Sequence, residues 1–178
     1  MNEITVLDKK FVVSIPESEI QHRIKEIANE MNENFAGKDV IFLGILNGCF
    51  MFAGDLFKNI DIQCQITFLK LASYQGTTSS GNVKRLIGIN ENIEGKIVVI
   101  LEDIIDTGNT LDNIIKQLKG YEPAEIKTAT LLHKPDAYKK DLPIDYIGFN
   151  IPNEFIIGYG LDYDGFGRNL KDIYTITK

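Results

Sequence analysis

Glu102, Asp103 and Asp106 fall within five positions of one another, directly after the apolar run Val98–Leu101 and directly before Thr107-Gly108-Asn109-Thr110. Each part has a chemical use. A strand that runs into a small polar loop and then into a helix presents the backbone N–H groups of Thr107 to Thr110 to an anion such as a phosphate monoester. The hydroxyls of Thr107 and Thr110 add donors, and Gly108 lets the backbone approach closely. Glu102 and Asp103 offer hard oxygen atoms to Mg²⁺, or acceptors to sugar hydroxyls. Asp106 stands one turn nearer the phosphate. A plainer use of the same residues is a capped helix with solvated acids, in which Asp106 or Thr107 is the N-cap.

The order of this run is four apolar residues, Glu-Asp, two spacers, Asp-Thr-Gly, a spacer and Thr. It resembles the phosphoribosyl pyrophosphate (PRPP) motif of the type I phosphoribosyltransferases. Four more segments are similar to those of the purine salvage branch. Leu43–Gly48 looks like its pyrophosphate loop and Phe68–Tyr74 like the entry to its flexible catalytic loop. Leu131–Pro135 resembles the segment with its purine-contacting lysine. Ile151–Tyr163, followed by Arg168-Asn169-Leu170, resembles its purine hood. The five segments come in the family's order and cover residues 43 to 170, with most likeness to the bacterial hypoxanthine(-guanine) enzymes.

That resemblance implies transfer of a phosphoribosyl group from PRPP to a 6-oxopurine base, with Mg²⁺. The products are pyrophosphate and a purine nucleoside monophosphate, IMP from hypoxanthine and GMP from guanine. It assigns Glu102 and Asp103 to the ribose hydroxyls and the metal, and Asp162 to the N2 side of the base and a second, water-bound Mg²⁺. It assigns Asp106, Thr107, Gly108, Asn109 and Thr110 to the 5′-phosphate, with Asp106 also facing purine N7 as proton acceptor or donor. Asn47, Gly48, Lys70, Ser73, Tyr74 and Arg168 go to pyrophosphate, and a non-proline cis peptide is expected at Asn47-Gly48. Lys134 would donate to O6, Phe155 would stack on the purine, and the Ile156 backbone would meet the base edge. The residue types suit these tasks: guanidinium binds phosphate oxygens in pairs, and an ammonium facing O6 is left unpaired by adenine.

Two positions depart from the family pattern. Many relatives carry lysine where this chain has Asn47, and many have an aromatic directly before the arginine, where this chain has Gly167 with Phe166 one place earlier. Two other readings fit the same motifs: a xanthine- or guanine-preferring transferase, and a PRPP-sensing regulator that binds nucleic acid.

The elements that must position these residues alternate in period. Ile20, Ile24, Ile27, Ala28, Met31 and Phe35 recur at helical spacing. Ser14/Glu17 and Ser18/Gln21 are rival capping boxes for that helix. Val40–Leu46 and Lys96–Leu101 are continuous apolar runs, as in strands buried on both faces of a parallel sheet. Cys49 to Phe57 reads as a helix, and Leu111, Ile114, Ile115 and Leu118 line one face of another, ended by Gly120. Further strands fit Ile66–Leu71, Arg85–Ile89, Glu125–Leu132 and Asp145–Phe149. Between Ser73 and Lys84 the chain is too polar to pack, which predicts a mobile loop or a hairpin. Alternating strands and helices predict a three-layer α/β fold with a mostly parallel sheet and ligands at the carboxyl ends of its strands. The resemblance adds a small hood formed by the N-terminal segment and residues 151–178, over a core of about residues 36–150, in one domain.

Composition bounds the rest. Of 178 residues 44% are hydrophobic and 25% charged, which excludes a disordered chain. Nineteen basic against 25 acidic residues leave a net charge of −6, without the basic footprint that nucleic acid or an anionic membrane surface requires. Cys49 and Cys64 lack metal-ligand spacing and read as reduced core thiols. No leader-like or membrane-spanning stretch is visible, so a cytoplasmic protein is expected. The resemblance implies a homodimer or homotetramer.

Overall fold

In the computed structural model, which describes residues 3–72, 84–87 and 89–177, strands β1 (Glu3–Val6) and β2 (Lys9–Ile15) lead into helix α1 (Glu17–Asn34). Strand β3 (Val40–Leu46), helix α2 (Phe50–Phe57) and strand β4 (Gln65–Ala72) follow, and β5 (Lys84–Ile87) turns back along β4. Then come β6 (Ile97–Ile105), α3 (Asn109–Lys119), β7 (Glu125–His133), β8 (Tyr146–Asn150), β9 (Ile156–Ile157) and β10 (Ile173–Ile176). Except for Lys84, the polar stretch Ser73–Lys84 lies outside the described residues, and with it Ser73 and Tyr74.

Six strands form the main sheet in the order β5-β4-β3-β6-β7-β8, parallel throughout except for β5. The two continuous apolar runs became its central neighbours, β3 and β6, because only strands covered on both faces can bury every side chain. Helices α1 and α2 pack on one face with Phe42, Val99, Leu101 and Leu131. Helix α3 covers the other through Leu111, Ile114, Ile115 and Leu118, against Leu43, Val98 and Ile100. This is the expected three-layer arrangement. A second sheet, β1-β2-β10-β9, is antiparallel and joins the N-terminal hairpin to the C-terminal strands. No helix among the described residues is long and apolar enough to cross a membrane.

From β3 the chain moves to β4 on one side, and then returns to β6 on the other. The direction of winding therefore reverses between β3 and β6, and a crevice opens at their carboxyl ends.

Neither capping box of α1 forms. Pro16 is the N-cap, with no side-chain cap of its own, and the Glu17 N–H donates instead to Asp172 Oδ1 at 2.7 Å. Proline already fixes the extended entry to the helix, and a distant carboxylate supplies the acceptor that Ser14 or Ser18 was expected to give.

Candidate active site

After β6 the backbone turns into α3 through Gly108, which is the helix N-cap at φ +82° and has no side-chain cap bond. Neither Asp106 nor Thr107 therefore caps α3, since the left-handed turn at Gly108 places the helix start beyond both. Glycine is required there twice over, by the positive φ and because a Cβ would overlap the Tyr138 ring. The Thr107 hydroxyl accepts from the Asn109 N–H at 3.4 Å. A cavity of about 240 Å³ opens over this loop, lined by Glu102 and by Ile104 to Leu111, with the α3 N-terminus facing it.

Glu102 is buried and Asp103 partly buried. Burial, with Asp103 as neighbour, pushes the Glu102 carboxyl well above the usual range. Burial also pushes Asp103 up to about 6, against the pull of the Ile104 N–H, which donates to its Oδ1 at 2.9 Å, and of Arg168. Asp103 lies against Gly48, where any Cβ would overlap its carboxylate. The strand-end loop after β3 and the acidic pair in the C-terminal half of β6 thus share one crevice. The non-proline cis peptide is Leu46-Asn47, one bond before the expected Asn47-Gly48. It falls directly after Leu46, the last residue of β3 paired to β4 (with Lys70), so the reversal comes at the strand end and Gly48 remains against Asp103. Asn47 is exposed and Lys70 half-buried.

Lys134 follows the last residue of β7. It is buried, and its Nζ stands 3.4 Å from Asp106 Oδ2, while its N–H donates to the Ile105 carbonyl. A buried ammonium and a half-exposed carboxylate therefore face each other beside the glycine turn that opens α3. Beneath them His133 is buried, with Nδ1 2.9 Å from Asn150 Oδ1 and its ring edge-on to Tyr138.

Arg168 is held in place. Its Nη1 donates to the Gly160 carbonyl at 2.7 Å and its Nη2 pairs with Asp162 Oδ1 at 2.6 Å. Gly160 lies against the Gly48 carbonyl, so the C-terminal segment touches the loop after β3. Gly167 takes φ +95° and Phe166 is exposed, so packing from the preceding side chain is replaced here by these two polar anchors. Phe155 keeps 46% of its surface exposed, backed by Phe11 and Tyr163 at centroid distances of 6.4 and 5.8 Å. Ile156, beside it in β9, is buried.

Residues 16–164 match the family model described as phosphoribosyl transferase domain. The chain is 41% identical over 164 residues to the hypoxanthine phosphoribosyltransferase of Escherichia coli strain K12, an alignment covering 90% of this chain and 92% of that one. The chain belongs to the phosphoribosyltransferase family, in its hypoxanthine(-guanine) branch. The crystal structure of a Staphylococcus aureus hypoxanthine phosphoribosyltransferase superposes on this phosphoribosyltransferase with a TM-score of 0.88 at 40% identity, covering 93% of this chain and 91% of that one. The bifunctional protein TilS/HprT of Listeria monocytogenes is 40% identical over 162 residues, and the matched region is only 25% of that longer protein.

Family membership implies Mg²⁺, and the acids present qualify the expected ligand set. Among the described residues no three His, Cys, Asp or Glu side chains converge as a metal cage. Asp162 does not join Glu102 and Asp103 in one, because its Oδ1 is taken by Arg168 and its Oδ2 accepts from the Gly165 N–H at 2.7 Å. The Glu102–Asp103 pair does fit a cation that arrives on a diphosphate. Mg²⁺ keeps several waters and binds through one or two carboxylates plus substrate phosphates, and two acids held short of full ionisation by burial gain from a cation beside them. Reading the sequence found every one of these side chains but missed those behind them. Tyr138, which packs under Gly108, carries no local motif.

Proposed function

We propose that the chain makes a purine nucleoside monophosphate and pyrophosphate from PRPP and a 6-oxopurine, hypoxanthine and also guanine. One observation carries this reading: the Asp106 carboxylate and the Lys134 ammonium face each other at 3.4 Å beside the glycine turn that opens α3. A hydrogen-bond acceptor and donor at that spacing match N7–H and O6 of a 6-oxopurine, and the helix N-terminus suits the 5′-phosphate of the sugar the base must meet.

In the reaction a bond forms between purine N9 and ribose C1, and the bond from C1 to the pyrophosphate oxygen breaks. Asp106 takes the proton that the imidazole ring sheds at N7. Asp106, Thr107, Gly108, Asn109 and Thr110 hold the 5′-phosphate, which fixes C1 against the base. Glu102 and Asp103 accept from the ribose hydroxyls, and their charge favours the cationic character that develops on the sugar. Mg²⁺ carried in with PRPP neutralises part of the leaving group's charge and meets these acids directly or through water. Asn47, Gly48, Lys70 and Arg168 receive the pyrophosphate, and Ser73 and Tyr74 are assigned to the same group. Phe155 stacks on the purine with its exposed face, the Ile156 backbone meets the base edge, and Asp162 holds Arg168 while standing on the N2 side. Lys134 rejects adenine, whose 6-amino group would leave a buried ammonium facing a donor. We assign the work to one domain, a core of about residues 36–150 under a hood from both ends of the chain, acting in the cytoplasm as a homodimer or homotetramer.

The test is an assay with PRPP and Mg²⁺ offering hypoxanthine, guanine, xanthine and adenine in turn. Turnover of hypoxanthine that stops on chelation of the metal is expected. Efficient turnover of adenine alone would overturn the reading.

A further inference from the structure

Tyr159 is 1% exposed, yet it lies in the C-terminal segment that bears Arg168, not in a core strand or helix. Its backbone sits at φ +49°, flanked by Gly158 and Gly160 at +95° and +99°. A bulky residue is disfavoured in the left-handed region and persists there where its surroundings over-determine it. The surroundings are specific. The Tyr159 hydroxyl donates to Asp55 Oδ2 at 2.5 Å, Gln21 Nε2 donates to the same oxygen at 2.6 Å, and Lys58 pairs with Asp55 Oδ1 at 2.7 Å. Gln21 belongs to α1 and Asp55 to α2, so one carboxylate ties both helices to the segment over the site.

The next residue is where this tie meets the chemistry. Gly160 packs its backbone on the Gly48 carbonyl, and its own carbonyl accepts from Arg168 Nη1 at 2.7 Å. The Tyr159 N–H donates to the Leu170 carbonyl and the Gly160 N–H to the Arg168 carbonyl, both at 2.9 Å, which closes the segment into one unit around Arg168. Moreover, α2 begins two residues after Gly48, so Asp55 anchors the helix that carries the loop on the other side of this contact.

We propose that Tyr159 is a positioning residue for the pyrophosphate end of the site: by donating to Asp55 it seats the Gly160 carbonyl against the loop at Gly48 and thereby aims the Arg168 guanidinium. The inference rests on the reading of Arg168 as a pyrophosphate ligand. It adds that the aim of Arg168 is set from a buried hydroxyl that touches no substrate.

The experiment is a double-mutant cycle of Tyr159→Phe and Arg168→Lys. Its readouts are PRPP binding with Mg²⁺ by calorimetry, steady-state KM and kcat for both substrates, and the thermal midpoint. Tyr159→Phe should weaken PRPP binding roughly 10-fold, the scale of one hydrogen bond to a charged group. The KM for hypoxanthine and kcat should stay within about 2-fold, and in the Arg168→Lys background the effect should shrink to less than about 2-fold. Should Tyr159→Phe fail to fold, Asp55→Asn keeps the size and weakens the same bond, with a smaller loss expected in the same parameter. Unchanged PRPP affinity in Tyr159→Phe, with or without a lowered midpoint, overturns the proposal while a weakened Arg168→Lys leaves the pyrophosphate reading standing. A Tyr159→Phe loss that persists undiminished in the Arg168→Lys background overturns the route through Arg168. If both single variants bind PRPP normally, proposal and reading fall together.

Discussion

Asp106 and Lys134 pair at 3.4 Å in the free protein, and in the proposed reaction a purine entering between them would exchange that ion pair for two contacts to the base. The exchange keeps a buried ammonium from standing alone, which would cost about 1–2 kcal/mol. Asp106→Asn preserves shape and an oxygen that Lys134 can face, but it cannot take a proton. Its kcat should fall about 10²- to 10⁴-fold with PRPP affinity changed far less, as steady-state kinetics would show. Stability separates this role from a structural one. Because Gly108 is the N-cap of α3, Asp106→Ala removes no cap, yet it strands Lys134 and should cost about 1–2 kcal/mol. Adding Lys134→Met to that variant should restore most of the thermal midpoint and none of the activity. If the double variant melts no higher than the single one, the pair is not what links Asp106 to stability.

At the scale of elements, the site exists because β3 and β6 are neighbours that the chain leaves in opposite directions. The loop after β3, at Asn47-Gly48, and the segment from the end of β6 to the start of α3, Glu102–Thr110, must then meet at one crevice. This much was legible in the sequence, since a strand buried on both faces writes an unbroken apolar run, and a phosphate loop writes glycine among hydroxyls. What was not legible is set by partners far along the chain. The acceptor for the first turn of α1 is Asp172, 155 positions from Glu17, so the local choice between Ser14 and Ser18 had no correct answer. Asp172→Ala should therefore lower stability by about 1 kcal/mol, a few degrees in a melt, with amide exchange rising first at residues 17–20. Ser14→Ala and Ser18→Ala should each stay within about 0.5 kcal/mol of the parent. A serine variant as damaging as Asp172→Ala would show that a capping box forms in solution. The cis bond stands at Leu46-Asn47, one position before the Asn47-Gly48 that marked its neighbourhood in the sequence.

A whole molecule of charge −6 that is to bind a polyanion, as the proposed function requires, must place its charges with care, and burial makes Glu102 and Asp103 costly to ionise in the free protein. Glu102 and Asp103 are buried acids whose folded-state protonation is favoured, Asp103 up to about 6 from an ordinary 3.8. Such a shift has a sign for folding. Below pH 4 both folded and unfolded states hold the proton and the shift costs nothing. As pH rises from about 4 to about 6 the unfolded chain ionises Asp103 while the folded state still holds the proton, so stability is lost across that window and levels off above it. The full shift corresponds to about 3 kcal/mol, trimmed to about 2 because one edge of the residue meets solvent. In the metal-free, ligand-free protein, Asp103→Asn should therefore melt about 4–8 °C above the parent at pH 7.5, and the two should converge near pH 4. Other carboxylates titrate in the same range, but they are common to both proteins and cancel in the difference. Bound Mg²⁺ and PRPP should invert the order at pH 7.5. The ligands favour the ionised acids of the parent and have less to gain from an amide, so the parent's midpoint should rise past that of the variant. Calorimetric melts of both proteins at the two pH values, with and without the ligands, decide it. An Asp103→Asn protein no more stable than its parent at pH 7.5 would mean that the acid is already paid for in the free state, and that the site's preference for a cation-bearing substrate has another source.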